Sequence, residues 1–462
     1  MMRIPDSLIR SLRKVESFNE QSFKEVHESG EQVTSVRLNR FKATDPLQFA
    51  NRNFKSAKKI PWSDHGFYLL QRPSFTLDPY FHAGYYYVQE ASGMFLEEVM
   101  RQTLDLSKPL KVLDLCAAPG GKSALIQSLI SSDSLLVSNE VIKSRVSVLE
   151  ENMTRWGATN LIITNNDPKD FAPLNGFFDL IVIDAPCSGS GLFRRDPEAI
   201  EHWSEANVQL CQQRQERILA DIFPVLKRDG ILIYSTCSYS KEENEDIMDW
   251  IMDQSTIENL RLENGREAGI KETVSDKHRA YGYRFWPDQL KGEGFFICCF
   301  RKENDEESSF RNPKKTVLEK LSRNEESMAS DWLEDPSAFV FFRYGDQVLA
   351  FPSGIASVIP PMLASNLYIR QAGLRMGKLA GKELIPDPAL AFSPAISKRI
   401  VAIPLKQDQA LQYLRREEVS IESNHKGWAV VEYEGAKLGW VKILQNRINN
   451  YYPKEWRIRM RG

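Results

Sequence analysis

Between residues 110 and 300, short apolar runs alternate with longer amphipathic stretches. The runs at 112–115, 134–138, 161–164, 178–183, 230–234 and 294–300 are rich in branched aliphatic and aromatic side chains. They are too short for helices and read as buried strands. Helical periodicity fills the gaps, at 123–129, 144–156, 206–225 and 243–252. Strand–helix alternation predicts a doubly wound parallel sheet, and the last run is free to join it antiparallel. On either side the pattern changes. Residues 1–105 read as a mixed α+β segment, with helices at 5–12 and near 21–28, a strand at 33–38, an aromatic strand at 85–90 and a helix at 91–100. Residues 303–328 are densely charged and read as a linker or an exposed helix. Residues 329–462 carry many prolines and short strand-like runs, at 339–342, 347–351 and 429–433, and read as a mixed, β-rich domain.

The formal net charge of -2 over 462 residues does not by itself announce a nucleic-acid binder. Its distribution says more. Arg37, Arg40, Lys42, Arg52, Lys55, Lys58 and Lys59 cluster in the N-terminal segment. Lys437, Lys442, Arg447, Lys454, Arg457, Arg459 and Arg461 cluster at the C-terminal end. Such clusters mark a phosphate-facing surface or an ordinary solvated face. Six cysteines in a chain of this length make no disulfide framework, and without a Cys-x-x-Cys pair a structural zinc site is not expected. No stretch reaches the roughly 20 apolar residues that span a bilayer, and residues 1–13 carry no export signature. A soluble, cytoplasmic, monomeric protein with reduced thiols is the expectation.

Three loops carry the candidate chemistry, each at the end of an apolar run. Cys116-Ala117-Ala118-Pro119-Gly120-Gly121-Lys122-Ser123 joins a strand to a helix start, where glycines allow close approach of a ligand and free N–H groups await one. It matches neither the dinucleotide fingerprint nor the P-loop, and alone it reads equally as a structural turn. Glu140 ends the second strand about 20 residues further on, where an acid can hold both ribose hydroxyls of a nucleoside. Asp167 follows the third strand and is a candidate acceptor for an adenine amino group. The other two loops are Asp184-Ala185-Pro186-Cys187 and Ser235-Thr236-Cys237-Ser238. Parallel strands end on one sheet edge, so two thiols and a carboxylate are brought to one cleft. That combination suits covalent chemistry on an electron-poor ring, where one thiolate attacks and the second group aids release. Buried small hydrophobes are the alternative fate of free cysteines, and the main one for Cys116, Cys211, Cys298 and Cys299. Arg194 and Arg195 are candidates for phosphate contact or for a salt-bridged pair. Phe193, His202 and Trp203 line a base pocket or simply pack.

These three loops resemble the RNA cytosine-5 methyltransferases of the NOL1/NOP2/Sun family. Val36-Arg37-Leu38-Asn39 and Tyr87-Val88-Gln89-Glu90-Ala91-Ser92 resemble that family's N-terminal segment. Gly427-Trp428, Leu438-Gly439-Trp440 and Tyr452-Pro453-Lys454 resemble the tail of its bacterial ribosomal-RNA branch, RsmF. The resemblance implies a Rossmann-like core (106–302) that takes S-adenosylmethionine, flanked by an RNA-binding segment (1–105) and an RNA-binding domain (329–462) with a PUA-like end. The cofactor's methionine part would lie against Ala117, Ala118, Pro119, Gly120, Gly121, Lys122 and Ser123, its ribose on Glu140, its adenine near Asp167 and its sulfonium near Asp184. The implied substrate is cytosine in 16S ribosomal RNA, free or in small-subunit particles, with transfer RNA as an alternative and a catalytically silent ribosome-assembly factor as another.

Carbon 5 of cytosine is a poor nucleophile. A thiolate added at carbon 6 turns the ring into an enamine-like one, after which the carbon-5 proton and then the thiol must leave. Chemistry alone does not say which cysteine attacks; the resemblance assigns attack to Cys237 and leaves release to Cys187. An ordinary thiol is mostly protonated at neutral pH, so a nearby cation helps. Lys122 is the candidate to orient or polarise the base, and Asp184 the candidate to share a proton with ring nitrogen 3. Removal of 330–462 is expected to weaken RNA binding and to leave cofactor binding.

Overall fold

The computed structural model describes residues 4–254, 256–263, 269–303, 318–381, 383–421, 423–445 and 447–460. Its centre is a ten-stranded sheet in the order Lys271–Val274, Tyr281–Phe285, Phe295–Lys302, Leu226–Thr236, Phe178–Asp184, Lys111–Asp114, Leu135–Asn139, Leu161–Thr164 and Ile369–Ala372, with Ile257–Asn259 also paired to Phe295–Lys302. The five strands from Leu226–Thr236 to Leu161–Thr164 are parallel. Phe295–Lys302 runs antiparallel against Leu226–Thr236, the addition that the pattern left open.

Both faces of this sheet are covered, which is why its strands are continuously apolar rather than alternating. Leu180, Ile181, Val182 and Ile183 are all fully buried. Even-numbered Leu180 and Val182 meet one core with Ala124, Leu125 and Leu149, and odd-numbered Ile181 and Ile183 meet the other with Ile218, Ile222 and Ile251. Lys111–Asp114 and Phe178–Asp184 are sheet neighbours, yet the strand order reverses between them. The loops at their carboxyl ends therefore diverge and leave a crevice, the place where open α/β sheets bind ligands.

The pattern missed the short strands Ile257–Asn259, Lys271–Val274 and Tyr281–Phe285. It also placed the start of the fifth strand at Gly230, although it begins at Leu226, because the exposed Lys227, Arg228 and Asp229 carry no hydrophobic signal. The largest departure is the edge strand Ile369–Ala372. It comes from far downstream and pairs antiparallel with Leu161–Thr164.

The N-terminal sheet has the order Lys58–Lys59, Gly66–Leu69, Thr34–Leu38, Tyr86–Val88, and is antiparallel throughout. It docks through polar hooks as well as apolar contact. Arg37, only 1% exposed, donates to Ala124 O and to Ser128 Oγ (3.2 Å) of the Gly121–Leu129 helix. Lys42 Nζ donates to Ala83 O and Arg155 O. These two cations therefore face oxygens of the protein itself, not phosphate. Arg40, Arg52, Lys55, Lys58 and Lys59 stay exposed.

Beyond the core lie a five-stranded and a four-stranded sheet. One apolar cluster joins Val36, Phe67 and Tyr86 of the N-terminal sheet to Tyr413, Val431, Leu438 and Tyr452 near the other end of the chain. Arg52 pairs with Glu434 at 2.6 Å across the same junction. The two basic flanks are thus parts of one body. The charged stretch between core and tail contains the capped helix Arg323–Ser330, while its residues 304–317, like Arg461, lie outside the described residues. Among the described residues, no helix is long and apolar enough to cross a membrane.

Candidate active site

The crevice begins at Asp114. After it the chain turns through Gly120, whose φ of 114° is a left-handed conformation that favours glycine, into the Gly121–Leu129 helix. The turn is held from outside: Arg145 donates to Ala118 O at 2.6 Å and Asn152 to Pro119 O at 2.8 Å. Ala117 N donates to Asn139 O at 2.8 Å. The N–H groups of Gly121, Lys122 and Ser123 open the helix and have no acceptor within it. Ser123 Oγ is turned inward, 2.6 Å from Asp114 and 2.8 Å from Ser138 Oγ.

Asp114 is a candidate that sequence reasoning passed over. It is fully buried, and its second oxygen has no partner in the protein. Burial pushes its carboxyl up to about 7, against the pull of Ser123 and Lys122. The available signal was an acid at the end of an apolar run, one turn before the glycines. Glu140, 3% exposed, accepts from Ile142 N at 2.8 Å and pairs with Arg145 at 3.3 Å. Asp167 is half-buried. It caps the short helix Pro168–Leu174 and pairs with Arg217 at 3.3 Å. Free N–H donors at a helix start, an orphaned buried carboxylate oxygen and a second acid at the next strand end form a donor set that fits an amino acid joined to a nucleoside.

The thiols meet on the other side of the crevice. Cys187 Sγ and Cys237 Sγ are 2.9 Å apart, and both are free cysteines. Contact with Cys237, followed by burial, raises the Cys187 thiol well above its ordinary value, with the Glu243 charge adding to the effect. Lys122 reaches over from the glycine turn and pairs with Asp184 at 2.8 Å. Burial opposes the Lys122 charge, but Asp184, Asp114 and Cys237 outweigh it and hold the ammonium above its ordinary range. Asp184 accepts from Ser235 Oγ at 3.0 Å. The structure thus brings Cys187, Cys237, Asp184 and Lys122 together, with the glycine turn alongside.

Backbone contacts hold the two cysteine loops in place. Gly191 N donates to Cys237 O at 2.8 Å, and Tyr239 N to Ser190 Oγ at 2.9 Å. A second residue that sequence reasoning missed, Glu243, was read as the start of a helix. The helix begins instead at Glu245, and Glu243 is fully buried between the loops.

Other candidates lie elsewhere. Phe193 and Trp203 are buried in a cluster with Leu8 and Phe23 of the N-terminal helices, so they pack and do not line the crevice. His202 is exposed. Arg194 is buried, donates to Gly292 O and Glu31 O, and lies 3.7 Å from Glu293, which rules out phosphate contact; Arg195 is exposed. Cys211, Cys298 and Cys299 are core residues, and Cys116 packs at the edge of the core.

Three family models match the chain. The first, 16S rRNA methyltransferase RsmB/F, covers residues 101–301; the N-terminal domain of 16S rRNA methyltransferase RsmF covers 4–91, and the methyltransferase RsmF PUA domain covers 401–458. The ribosomal RNA small subunit methyltransferase F of Shewanella woodyi is 31% identical over 415 residues, covering 86% of this chain and 84% of that protein. The protein of the same description from Shewanella loihica is 29% identical, covering 91% and 88%. Among solved structures, a methyltransferase homologue from Pyrococcus horikoshii aligns with a TM-score of 0.56 at 30% identity, over 65% of this chain and 96% of that one. NSun6 from the same organism, solved with SFG, an analogue of S-adenosylmethionine, shares the fold at a TM-score of 0.54 and 18% identity, over 66% of this chain and 100% of that one. The glycine turn at the reversal of strand order, the acids at successive strand ends and these matches agree: the chain belongs to the RsmB/F family of 16S rRNA methyltransferases, with S-adenosylmethionine as its cofactor.

Proposed function

We propose that the protein methylates carbon 5 of cytosine in 16S ribosomal RNA through a covalent bond between Cys237 and carbon 6 of the base. The observation that carries this reading is the contact between two free thiols beside the Lys122–Asp184 pair. A single thiol would serve an ordinary nucleophile, and an amine or amide target would need none. Two thiols match a reaction that must make and then break a bond to the ring.

The residues proposed to hold the cofactor are Ala117, Ala118, Pro119, Gly120, Gly121, Lys122 and Ser123 at the methionine end, Glu140 at the ribose, Asp167 at the adenine and Asp184 near the sulfonium. Bound there, S-adenosylmethionine supplies an electrophilic methyl group.

Cys237 attacks carbon 6, and Asp184 shares a proton with ring nitrogen 3 so that the ring accepts the electron pair. Lys122 keeps Asp184 oriented and offsets the negative charge gathering in the crevice. After carbon 5 is methylated, a solvent water takes its proton, the C–H electron pair forms the carbon 5–carbon 6 double bond, and the bond from Cys237 to carbon 6 breaks with its electron pair returning to sulfur. Cys187 touches Cys237, so its thiol is placed to hydrogen-bond the Cys237 thiolate as it departs. The exposed cations of the joined N- and C-terminal flanks would hold the RNA backbone while the target base is unstacked, a cost of about a few kcal/mol.

The test uses 16S rRNA and radiolabelled methyl donor. Cys237→Ala should abolish methylation. Cys187→Ala should accumulate an enzyme–RNA adduct that survives a denaturing gel. Full turnover by Cys237→Ala removes it as the nucleophile. Bisulfite sequencing of 16S rRNA from a deletion strain should show the loss of a 5-methylcytosine; an unchanged rRNA profile sinks the substrate assignment.

A further inference from the structure

Glu243 touches neither thiol, yet it is tied to the neighbours of both. Its Oε1 accepts from Ser188 N at 2.8 Å and from Gln215 Nε2 at 3.2 Å. Its Oε2 accepts from Ser188 Oγ and Ser238 Oγ, each at 2.5 Å. Ser188 follows Cys187 in the chain, and Ser238 follows Cys237. The two serine hydroxyls are 3.1 Å apart, so one fully buried carboxylate gathers both cysteine loops at a single point. Its position is itself fixed. Tyr234 OH donates to Glu243 O at 2.8 Å, and Gln215 Nε2 also reaches Pro186 O at 3.0 Å, on the near side of the Cys187 loop.

We infer that Glu243 is a positioning residue that sets the contact between Cys187 and Cys237, and that this contact is what methyl transfer requires. The second half rests on the two-thiol reading proposed above; the first half does not. A buried acid costs stability unless its lone pairs are satisfied, and here every donor comes from a segment bearing on one thiol or the other. Hydrogen-bond geometry is the working element. A glutamine fits: its oxygen replaces Oε1 for the two N–H donors, and its amide N–H groups meet the serine hydroxyls, which rotate to accept. An alanine leaves Ser188 N without its acceptor and Gln215 with Pro186 O alone, and frees the loops to part.

The experiment measures two things on the full chain. One is turnover with 16S rRNA, separating kcat from KM for the cofactor. The other is the equilibrium between the thiol pair and its disulfide in dithiothreitol buffers. In that exchange, oxidised dithiothreitol takes up two electrons and two protons, and the two cysteines form one S–S bond. The sulfurs need to close by only about 0.9 Å to reach bonding distance, so the equilibrium constant reports their alignment without involving methylation. Glu243→Ala should lower kcat by about 100-fold, as for a misplacement near one ångström. It should leave KM for the cofactor within about threefold and weaken disulfide formation by about tenfold or more. Glu243→Gln should restore both to within about fivefold of the parent. If Glu243→Ala does not fold, Ser238→Ala removes one bond to the same carboxylate, together with the hydroxyl's contacts to Ser188, Ser190 and Ser240 N, and should lower both quantities by about tenfold or more. The inference is overturned if Glu243→Ala folds with kcat and the disulfide equilibrium both within threefold of the parent, or if Glu243→Gln is as damaged as Glu243→Ala. If Glu243→Ala loses the disulfide while Cys237→Ala still methylates, the positioning role stands and the two-thiol mechanism fails.

Discussion

A methyl group added at Gly191 tests whether the approach of the two loops limits the reaction. Gly191 lies in the loop after Cys187, and a Cβ there would come within 2.7 Å of Cys237 O and 2.5 Å of Gly294 O. Both are backbone atoms and cannot swing aside, and real Cβ contacts hardly ever fall under 3.0 Å. Cys237 O must therefore retreat by at least about 0.3 Å and Gly294 O, at the entry to the Phe295–Lys302 strand, by about 0.5 Å, stretching the 2.8 Å bond from Gly191 N to Cys237 O. Overpacking of this kind costs about 1–3 kcal/mol. The entropy that alanine removes from the unfolded chain returns about 0.4–1 kcal/mol. The expected net loss in Gly191→Ala is thus about 1–2 kcal/mol, small enough for the chain to fold. Rate is more sensitive: if one ångström of misplacement is worth about 100-fold, half of that is worth about tenfold. Single-turnover methylation of 16S rRNA, with cofactor affinity measured by calorimetry, should show kcat down about tenfold or more and cofactor binding unchanged. Gly191→Ala with parental kcat and parental stability would refute the argument, because it would mean that the loops have slack the packing denies.

Three other expectations follow from particular contacts. Lys122→Met removes the cation 2.8 Å from Asp184 and should lower kcat by about 10²-fold or more, checked by steady-state methylation; less than a threefold effect excludes Lys122 from the chemistry. His27 and His82 are 2% and 4% exposed, and burial depresses them to about 4 and about 3, so the unfolded chain, with His near 6.5, takes up protons first. Their contribution is complete above about pH 6.5 and drains as pH falls. At pH 5.5 each should cost about 1.4 kcal/mol, and His82→Gln should lose correspondingly less stability than the parent between pH 7.5 and 5.5 in urea titrations; equal losses contradict this. Removing 330–462 strips Ile369–Ala372 from the edge of the central sheet and uncovers Val36, Phe67 and Tyr86, so such a chain should aggregate or melt early instead of losing RNA affinity alone; a monodisperse, fully stable truncation measured by light scattering would contradict the edge pairing.

What was readable before folding was whatever announces itself locally. Leu180–Ile183 and Ile231–Tyr234 are buried on both faces, so their uninterrupted apolar runs stand out, and the candidate residues Asp184, Cys187 and Cys237 follow directly at their ends. Glu140 became a candidate the same way, from its place after a strand. Arg37 and Arg194 misled because a cation in sequence looks the same whether it meets phosphate or carbonyl oxygen. Glu243 was invisible because an acid in front of an amphipathic stretch ordinarily opens a helix. Ile369–Ala372 went unnoticed because an edge strand needs one buried neighbour, not a long apolar run.

By itself, the order of residues determined the parallel core, the edge at which ligands gather and the thiols and acids available there, since strand propensity and burial are short-range properties. Only the tertiary structure decided that two sulfurs 50 residues apart touch, that contact with Cys237 and burial raise the Cys187 thiol, and that the two ends of the chain form one body. Those outcomes depend on distances between segments and on the field inside a dry interior, quantities that exist only once the chain has closed on itself.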